Sequence, residues 1–240
     1  MIFSELCLRP ADRESLQTIA ALRANPYAQH RAIWQMFDLP PGSRQPFLYR
    51  LRDEYTDALR FWVLSTEAPR VSAPWTIRSK PYAPKLTQGE VYEFDLRINP
   101  TVTVTRADGR KTRADVVMNT IHHQPAGPSR VAKRAEAVEH GLPEWLAERA
   151  AQWGFALAGA AASAADDASM PTDDARCTTR SYQRWYIHKP RAAPIVLGVA
   201  DLHGWLKVLD AELFQRSLCA GLGHGKAFGL GLMLLRRAAS

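Results

Sequence analysis

Between Gly221 and Gly231 the chain reads Gly-Leu-Gly-His-Gly-Lys-Ala-Phe-Gly-Leu-Gly, five glycines in eleven residues. Without a Cβ, glycine takes positive φ and lets another chain segment or a ligand come close to the backbone. Two uses suit such a stretch. Its successive amide N–H groups can form a concave nest for an anion, or it can be a turn at which strands pack closely. Lys226, in the middle, adds a point charge with three donors, which makes a phosphate group the guest to test.

Two nucleotide motifs fail that test. A Walker loop needs a glycine five positions before the Gly-Lys pair and a hydroxyl residue after it; here those positions hold Ala220 and Ala227. A dinucleotide fingerprint needs G-x-G-x-x-G between a strand and a helix. Gly221 and Gly223 are followed by Lys226 at the third glycine's place, and Leu232 to Leu235 read as a terminal buried strand. No nucleotide cofactor is expected.

The 240 residues allow one large domain or two of ordinary size. With 46% apolar residues and seven tryptophans, the chain can bury a sizeable core. Its net charge of +7 suits a polyanionic partner. Cys7, Cys177 and Cys219 are far apart and odd in number, so neither a structural zinc site nor a disulfide framework is expected. The start has no basic lead, Glu5 interrupts its apolar run, and no stretch of about 18 apolar residues follows. A cytoplasmic protein without membrane spans is the expectation.

In order, Ile2–Leu8 reads as a strand and Asp12 caps a helix to about Arg23. Pro26 opens a second helix, with Ile33, Trp34, Met36 and Phe37 on its buried side and Pro40-Pro41-Gly42 as its end. Strands follow at Pro46–Leu51 and Ala58–Ser65; residues 66–90 read as mostly loop; Val91–Ile98 alternates cleanly. Thr101–Thr105 and Arg113–Val117 pair across Asp108-Gly109. This order is compatible with a ferredoxin-like βαββαβ unit closed by Val91–Ile98, although its second helix is poorly visible.

After residue 120 the pattern restarts. A helix spans Leu142–Trp153 and stops at Gly154, and Phe155–Ala158 is a short strand. Residues 159–174, rich in Ala, Ser and Asp, read as a solvated loop. Two strands, Cys177–His188 and Ile195–Val208, precede a helix capped by Asp210, the glycine stretch and the last strand. The fold class expected is α+β, two tandem ferredoxin-like (RRM-like) domains at 1–119 and 120–240.

Two motifs carry a family resemblance. Gly221-Leu222-Gly223 and Gly229-Leu230-Gly231, five residues apart, match the glycine-rich loop of the CRISPR-associated repeat-processing endoribonucleases, and the loop's Lys226 followed by Ala-Phe-Gly resembles the CasE type of type I-E systems. Near the other end, Asn25-Pro26-Tyr27-Ala28-Gln29-His30-Arg31 resembles the family's segment with a catalytic histidine and a tyrosine three residues earlier. The resemblance implies two ferredoxin-like domains side by side. It also implies a metal-independent endoribonuclease that needs no cofactor, cuts precursor RNA at the base of the CRISPR repeat stem-loop, and stays on its product with the other Cascade subunits.

It further implies roles for single residues. His30 is the catalytic group, assisted by Tyr27, which orients the 2′-hydroxyl or donates to the phosphate. A histidine suits proton transfer because it titrates near neutral pH. Tyr27, His30 and Arg31 share one side of a helix, with Trp34 one turn on. Gly221, Gly223, Gly229 and Gly231 contact RNA and pack the domains, and Lys226 binds RNA; His224 reads as an ordinary loop residue, with a second proton carrier as the alternative.

Basic residues cluster at Arg106, Arg110, Lys111 and Arg113; at Arg130, Lys133 and Arg134; and at Arg176, Arg180, Arg184, Lys189 and Arg191. Arg180 and Arg184, evenly spaced on a strand, are expected on one face along the RNA stem. From the spacing of His30 alone, a surface histidine on a non-catalytic RNA-binding module of the same fold is the competing reading. A nucleotide-binding enzyme is a second rival, opposed by the missing motif positions.

Overall fold

The computed structural model describes residues 1–40, 42–52, 58–158 and 177–237. The expected loop at 159–174 and Arg176 fall outside them.

The first sheet begins with β1 (Ile2–Leu8). Asp12 then caps α1 (Arg13–Ala24): its carboxylate accepts from the Ser15 amide at 2.8 Å, while the Ser15 hydroxyl accepts from the Asp12 amide at 3.0 Å. This reciprocal box satisfies donors that a helix start leaves open. Asn25 caps α2 (Pro26–Trp34) with a single bond, accepting from the Tyr27 amide at 3.0 Å, and Pro26 takes the first helical position. The helix stops at Trp34, earlier than the apolar pattern suggested. The Met36 and Phe37 amides turn onto the carbonyls of Ile33 and Trp34, which keeps both side chains buried without further helix.

Strands β2 (Phe47–Leu51), β3 (Leu59–Ser65) and β4 (Trp75–Pro81) complete this sheet in the order β2-β3-β1-β4, every neighbour antiparallel. That is the ferredoxin-like order, closed by a strand inside the segment expected to be loop. The signal was weak because β4 is an edge strand that is mostly exposed. Only Trp75 and Ile77 supply an inward apolar pair, opposite Leu8 and Leu6. Residues 66–74 contain no helix, so the second helix expected of this unit is absent.

The strand expected to close it, β5 (Val91–Ile98), instead starts the second sheet. Its alternation gave strand and face but carries no information about partners. The sheets therefore divide at residues 82–90, not at 119/120. The hairpin of β6 (Thr101–Thr105) and β7 (Lys111–Asp115) stands apart as a two-stranded ribbon, turning at Gly109. Helices α3 (Val116–Thr120), α4 (Pro128–Glu136) and α5 (Leu142–Ala150) follow.

Then come β8 (Phe155–Ala158), β9 (Cys177–Ile187), β10 (Ile195–Val208), α6 (Ala211–Ala220) and β11 (Met233–Arg237). The order β11-β5-β10-β8 repeats the ferredoxin-like arrangement. Strand β9 continues the β8 edge along β10: Ala158 lies opposite Trp205, and Cys177 opposite the next residue, Gly204.

Each sheet buries one face under its helices. Ile19, Ile33, Phe37 and Phe61 belong to the first core, and Phe94, Leu146, Phe155 and Phe214 to the second. The other faces meet across a seam. Leu48 and Leu64 pack there on Leu232, beside an ion network in which Arg50 of β2 bonds Asp95 of β5 at 2.6 Å.

Candidate active site

Three segments distant in sequence converge at the start of α2. Asn25, besides capping the helix, donates from Nδ2 to the carbonyl of His188, just beyond β9, at 3.2 Å. The Tyr49 hydroxyl, on β2, donates to the Pro26 carbonyl at 3.0 Å and the Ala227 carbonyl at 3.2 Å. A single phenol thus ties the helix start to the glycine stretch, and burial pushes its pKa far above the ordinary value.

His30 lies one turn into α2, half-buried, its ring centroid 5.5 Å from Trp34 and 5.7 Å from Phe47. Trp34 thus packs against it as the helical spacing suggested. Nδ1 is shut off from solvent and has no hydrogen-bond partner, so proton exchange with a ligand falls to Nε2. Burial, and then the charge of Lys189, hold the imidazole's pKa below its ordinary 6.5. Near neutral pH His30 is therefore mostly in its proton-accepting form.

Lys189 is the residue that sequence reasoning missed in this role, leaving it among the basic residues of its cluster. Its ammonium stands 5.6 Å from the Tyr27 ring and 5.6 Å from the Phe228 ring. The Asn25–His188 bond holds this segment against the helix; no local pattern could have announced it, because the two lie 163 residues apart. Arg31 is exposed on the next helical position, and its side chain makes no hydrogen bond or ion pair among the described residues.

All five glycines of the stretch have positive φ. Four amides here are already engaged: Leu222 on Gly231, Phe228 on Gly225, Gly229 on Lys226 and Gly231 on the Arg97 carbonyl of β5. Gly221 lies so close to Leu48 of the first half that a Cβ would come within 2.6 Å of its methyl carbon. The loop seals the two halves together and presents Phe228 toward Lys189. Lys226 points elsewhere, into a cavity walled by Gln45, Phe47 and Leu48.

At Gly231 a Cβ would stand 2.4 Å from the Leu222 carbonyl oxygen, with φ at +86°. Gly231→Ala is expected to cost roughly 2 kcal/mol or more of folding stability through backbone strain and overpacking. A urea titration measures this; a midpoint equal to the parent's would contradict the packing role.

The structure separates Arg180 from Arg184. Pairing between β9 and β10 slips at Asp201/Leu202, leaving Arg180 as the extra residue of a bulge. A one-residue insertion reverses the alternation of faces beyond it. Arg180 points into the seam and pairs with Asp95 at 3.0 Å. Arg184 lies on the helix-side face, its guanidinium 5.5 Å from the Tyr186 ring.

There Arg184 meets another basic cluster. Arg134 of α4 stands 5.5 Å over the Tyr182 ring, whose hydroxyl donates to Asp115, the cap of α3, at 2.7 Å. Burial, with the Asp115 bond and charge, raises the Tyr182 pKa, and Arg134 and Arg184 both pull it back. Two clusters separated in sequence thus flank one phenol. Among the described residues, no three His, Cys, Asp or Glu side chains group as a metal site would need. None of their helices is long and apolar enough to cross a membrane.

The family described as "CRISPR associated protein" matches residues 1–237. Among solved structures, the CRISPR endoribonuclease Cse3 bound to a 19-nucleotide RNA is 22% identical, with a TM-score of 0.67 over 98% of this chain and 100% of that one. Cse3 of Thermus thermophilus, bound to an RNA representing a pre-cleavage complex, is 21% identical, with a TM-score of 0.67 over 98% of both chains. A chain of a CRISPR RNA-guided surveillance complex is 15% identical, with a TM-score of 0.60 over 98% of this chain and 99% of that one. At these identities the likeness is one of fold. No curated protein sequence matches.

Proposed function

The chain belongs to the CRISPR-associated protein family, and from that premise we propose that it is a metal-independent endoribonuclease that cuts CRISPR repeat RNA at the base of its stem-loop. The observation that carries this reading is the meeting of a depressed-pKa imidazole, a tyrosine and a lysine ammonium at one place.

In the proposed reaction the neutral His30 accepts the proton of the 2′-hydroxyl, whose oxygen attacks the adjacent phosphorus. The bond from phosphorus to the 5′ oxygen of the next nucleotide breaks, and that oxygen takes up a proton. The products are a 2′,3′-cyclic phosphate and a 5′-hydroxyl. Lys189 stabilises the charge that develops on the phosphorane, an electrostatic contribution that is strongest where water is partly excluded. Tyr27, under the same ammonium, positions the reacting nucleotide. The glycines shape the loop that carries Phe228 and Lys226.

The stem lies along the face that carries Arg134 and Arg184, with Arg31 at the edge nearest the cut. An A-form stem has a deep, narrow major groove, so these cations follow phosphates and shape more than base sequence. After cleavage the protein keeps the stem-loop and joins the surveillance complex, a role supported by its likeness to a chain of such a complex. The cytoplasm, where the precursor is transcribed, is its proposed location.

The testing experiment is incubation with stem-loop RNA in excess EDTA, followed by analysis of the ends. Undiminished cleavage with a cyclic phosphate on one product and a 5′-hydroxyl on the other is expected. Activity lost in EDTA and restored by a divalent ion would sink the mechanism.

A further inference from the structure

The phenyl ring of Phe47 stands 5.7 Å from His30, and the same side chain walls a cavity of about 510 Å³ that the reaction above does not use. The cavity lies where the start of β2, the end of α6 and the turn of the glycine loop meet. Its apolar wall is Phe47, Leu48 and Leu64; its cationic side chains are Lys226 and Arg216, beside the amino terminus of Met1; Cys219 adds a thiol. No carboxylate lines it, and neither cation has an ion-pair partner among the described residues. Burial lowers the Lys226 pKa, so an entering anion would restore the charge that the site disfavours.

A bare inorganic anion would leave the apolar wall uncovered, and an apolar ligand would leave two cations without a partner. An anion joined to a flat apolar body satisfies both, and the volume falls in the range of small-ligand pockets. The protein's proposed substrate is made of such units, and one ring separates this cavity from the imidazole.

We propose that the cavity takes the first unpaired nucleotide beyond the cut, its phosphate on Lys226 and Arg216 and its base against Phe47, Leu48 and Leu64. The proposal rests on the ribonuclease reading above and deepens it. The flank leaving the stem base is held on one side of Phe47 while the scissile phosphate lies on the other. The site thus measures that a single-stranded flank follows the stem, a feature that shape recognition of the stem alone does not supply.

Cys219 provides a built-in probe, since it is half-buried in the cavity wall while Cys7 and Cys177 are buried. The test uses His30→Ala protein, which holds RNA uncut, and two RNAs: the stem-loop ending at its base, and the same stem-loop with a short 3′ extension. The extended RNA is expected to slow alkylation of Cys219 by about tenfold or more and to bind about tenfold tighter than the blunt one. Adding Arg216→Met and Lys226→Met should abolish the preference for the extension, so that the two RNAs bind alike.

Binding of both RNAs with equal protection of Cys219, or a flank preference that survives both substitutions, overturns the cavity assignment alone. If neither RNA binds, the ribonuclease reading is overturned and this inference with it. Protection by an acidic peptide but not by the extended RNA would make the cavity a protein-docking site and overturn the proposal.

Discussion

Replacing His30 with alanine is expected to lower the rate of strand cleavage by about 10²- to 10⁴-fold, the usual contribution of a positioned acid–base group, while RNA binding persists. The proposed role is proton transfer rather than phosphate contact, because burial and Lys189 both disfavour the charged imidazole. Single-turnover cleavage and equilibrium binding on the same RNA check the two halves of the statement. A variant that cuts at nearly the parent rate would leave only a non-catalytic role for His30.

The pH profile sharpens this prediction. A general base works in its neutral form, so the rate should rise with pH through the folded-state pKa of His30 and level off by neutrality. The midpoint should lie below the ordinary 6.5. Lys189→Met removes one of the two causes that lower this pKa, so the rising limb should move to higher pH while the plateau falls. A purely structural role for Lys189 would lower the plateau and leave the midpoint in place.

Asp201→Ala is expected to cost about 3 kcal/mol of stability, the lower end for breaking a buried ion pair. Asp201 accepts from Arg97 Nε at 2.7 Å and Nη2 at 3.0 Å, and from the Ser181 hydroxyl at 2.7 Å. Arg50 approaches it at 3.7 Å, and the side chains of Arg50 and Arg97 are 11% and 9% exposed. Burial alone would raise the carboxyl's pKa, but the Arg97 bonds and charge, the Ser181 bond and Arg50 outweigh it and hold the value below 3.8. Asp95 still neutralises Arg50 in the variant, which is why the lower end of the range applies.

The sign with pH follows. A carboxyl depressed in the folded state stabilises fully above its unfolded pKa, about 3.9, and loses that contribution as pH falls through the folded value. The deficit of the variant, read by urea denaturation, should therefore be constant near neutrality and shrink below about pH 4. Arg50 belongs to the first sheet, and Asp95, Arg97 and Asp201 to the second. The same substitution should slow cleavage, because the seam sets His30 of one half against Lys189 of the other. Unchanged stability would show that the network is dispensable to that seam.

Local chemistry was legible wherever one segment carries its own answer. Asp12 and Asp210 cap the helices they were expected to cap, Pro26 opens its helix, and Asp108-Gly109 turns a hairpin. The strands at 2–8 and 195–208 lie where alternation put them. Strand β4 was not legible, because an exposed edge strand is held by its ladder to β1 rather than by a run of apolar residues. Arg180 and Arg184 could not be assigned to opposite faces, because a bulge appears only when a strand is laid against its partner.

The amino-acid order on its own determined the elements, their caps, the glycine stretch and the pairing of a histidine with a tyrosine one turn away. These rest on interactions a few residues long, whose energies depend on side-chain type and spacing. Folding decided which sheet Val91–Ile98 joins, that Lys189 rather than Lys226 stands beside the His30 site, and that Arg134 and Arg184 both act on the Tyr182 phenol. Those outcomes depend on contacts between residues far apart in the chain, such as the bond from Asn25 to His188, 163 positions apart. A contact of that kind has no period and no motif; it exists only once two packed halves have been brought to one seam.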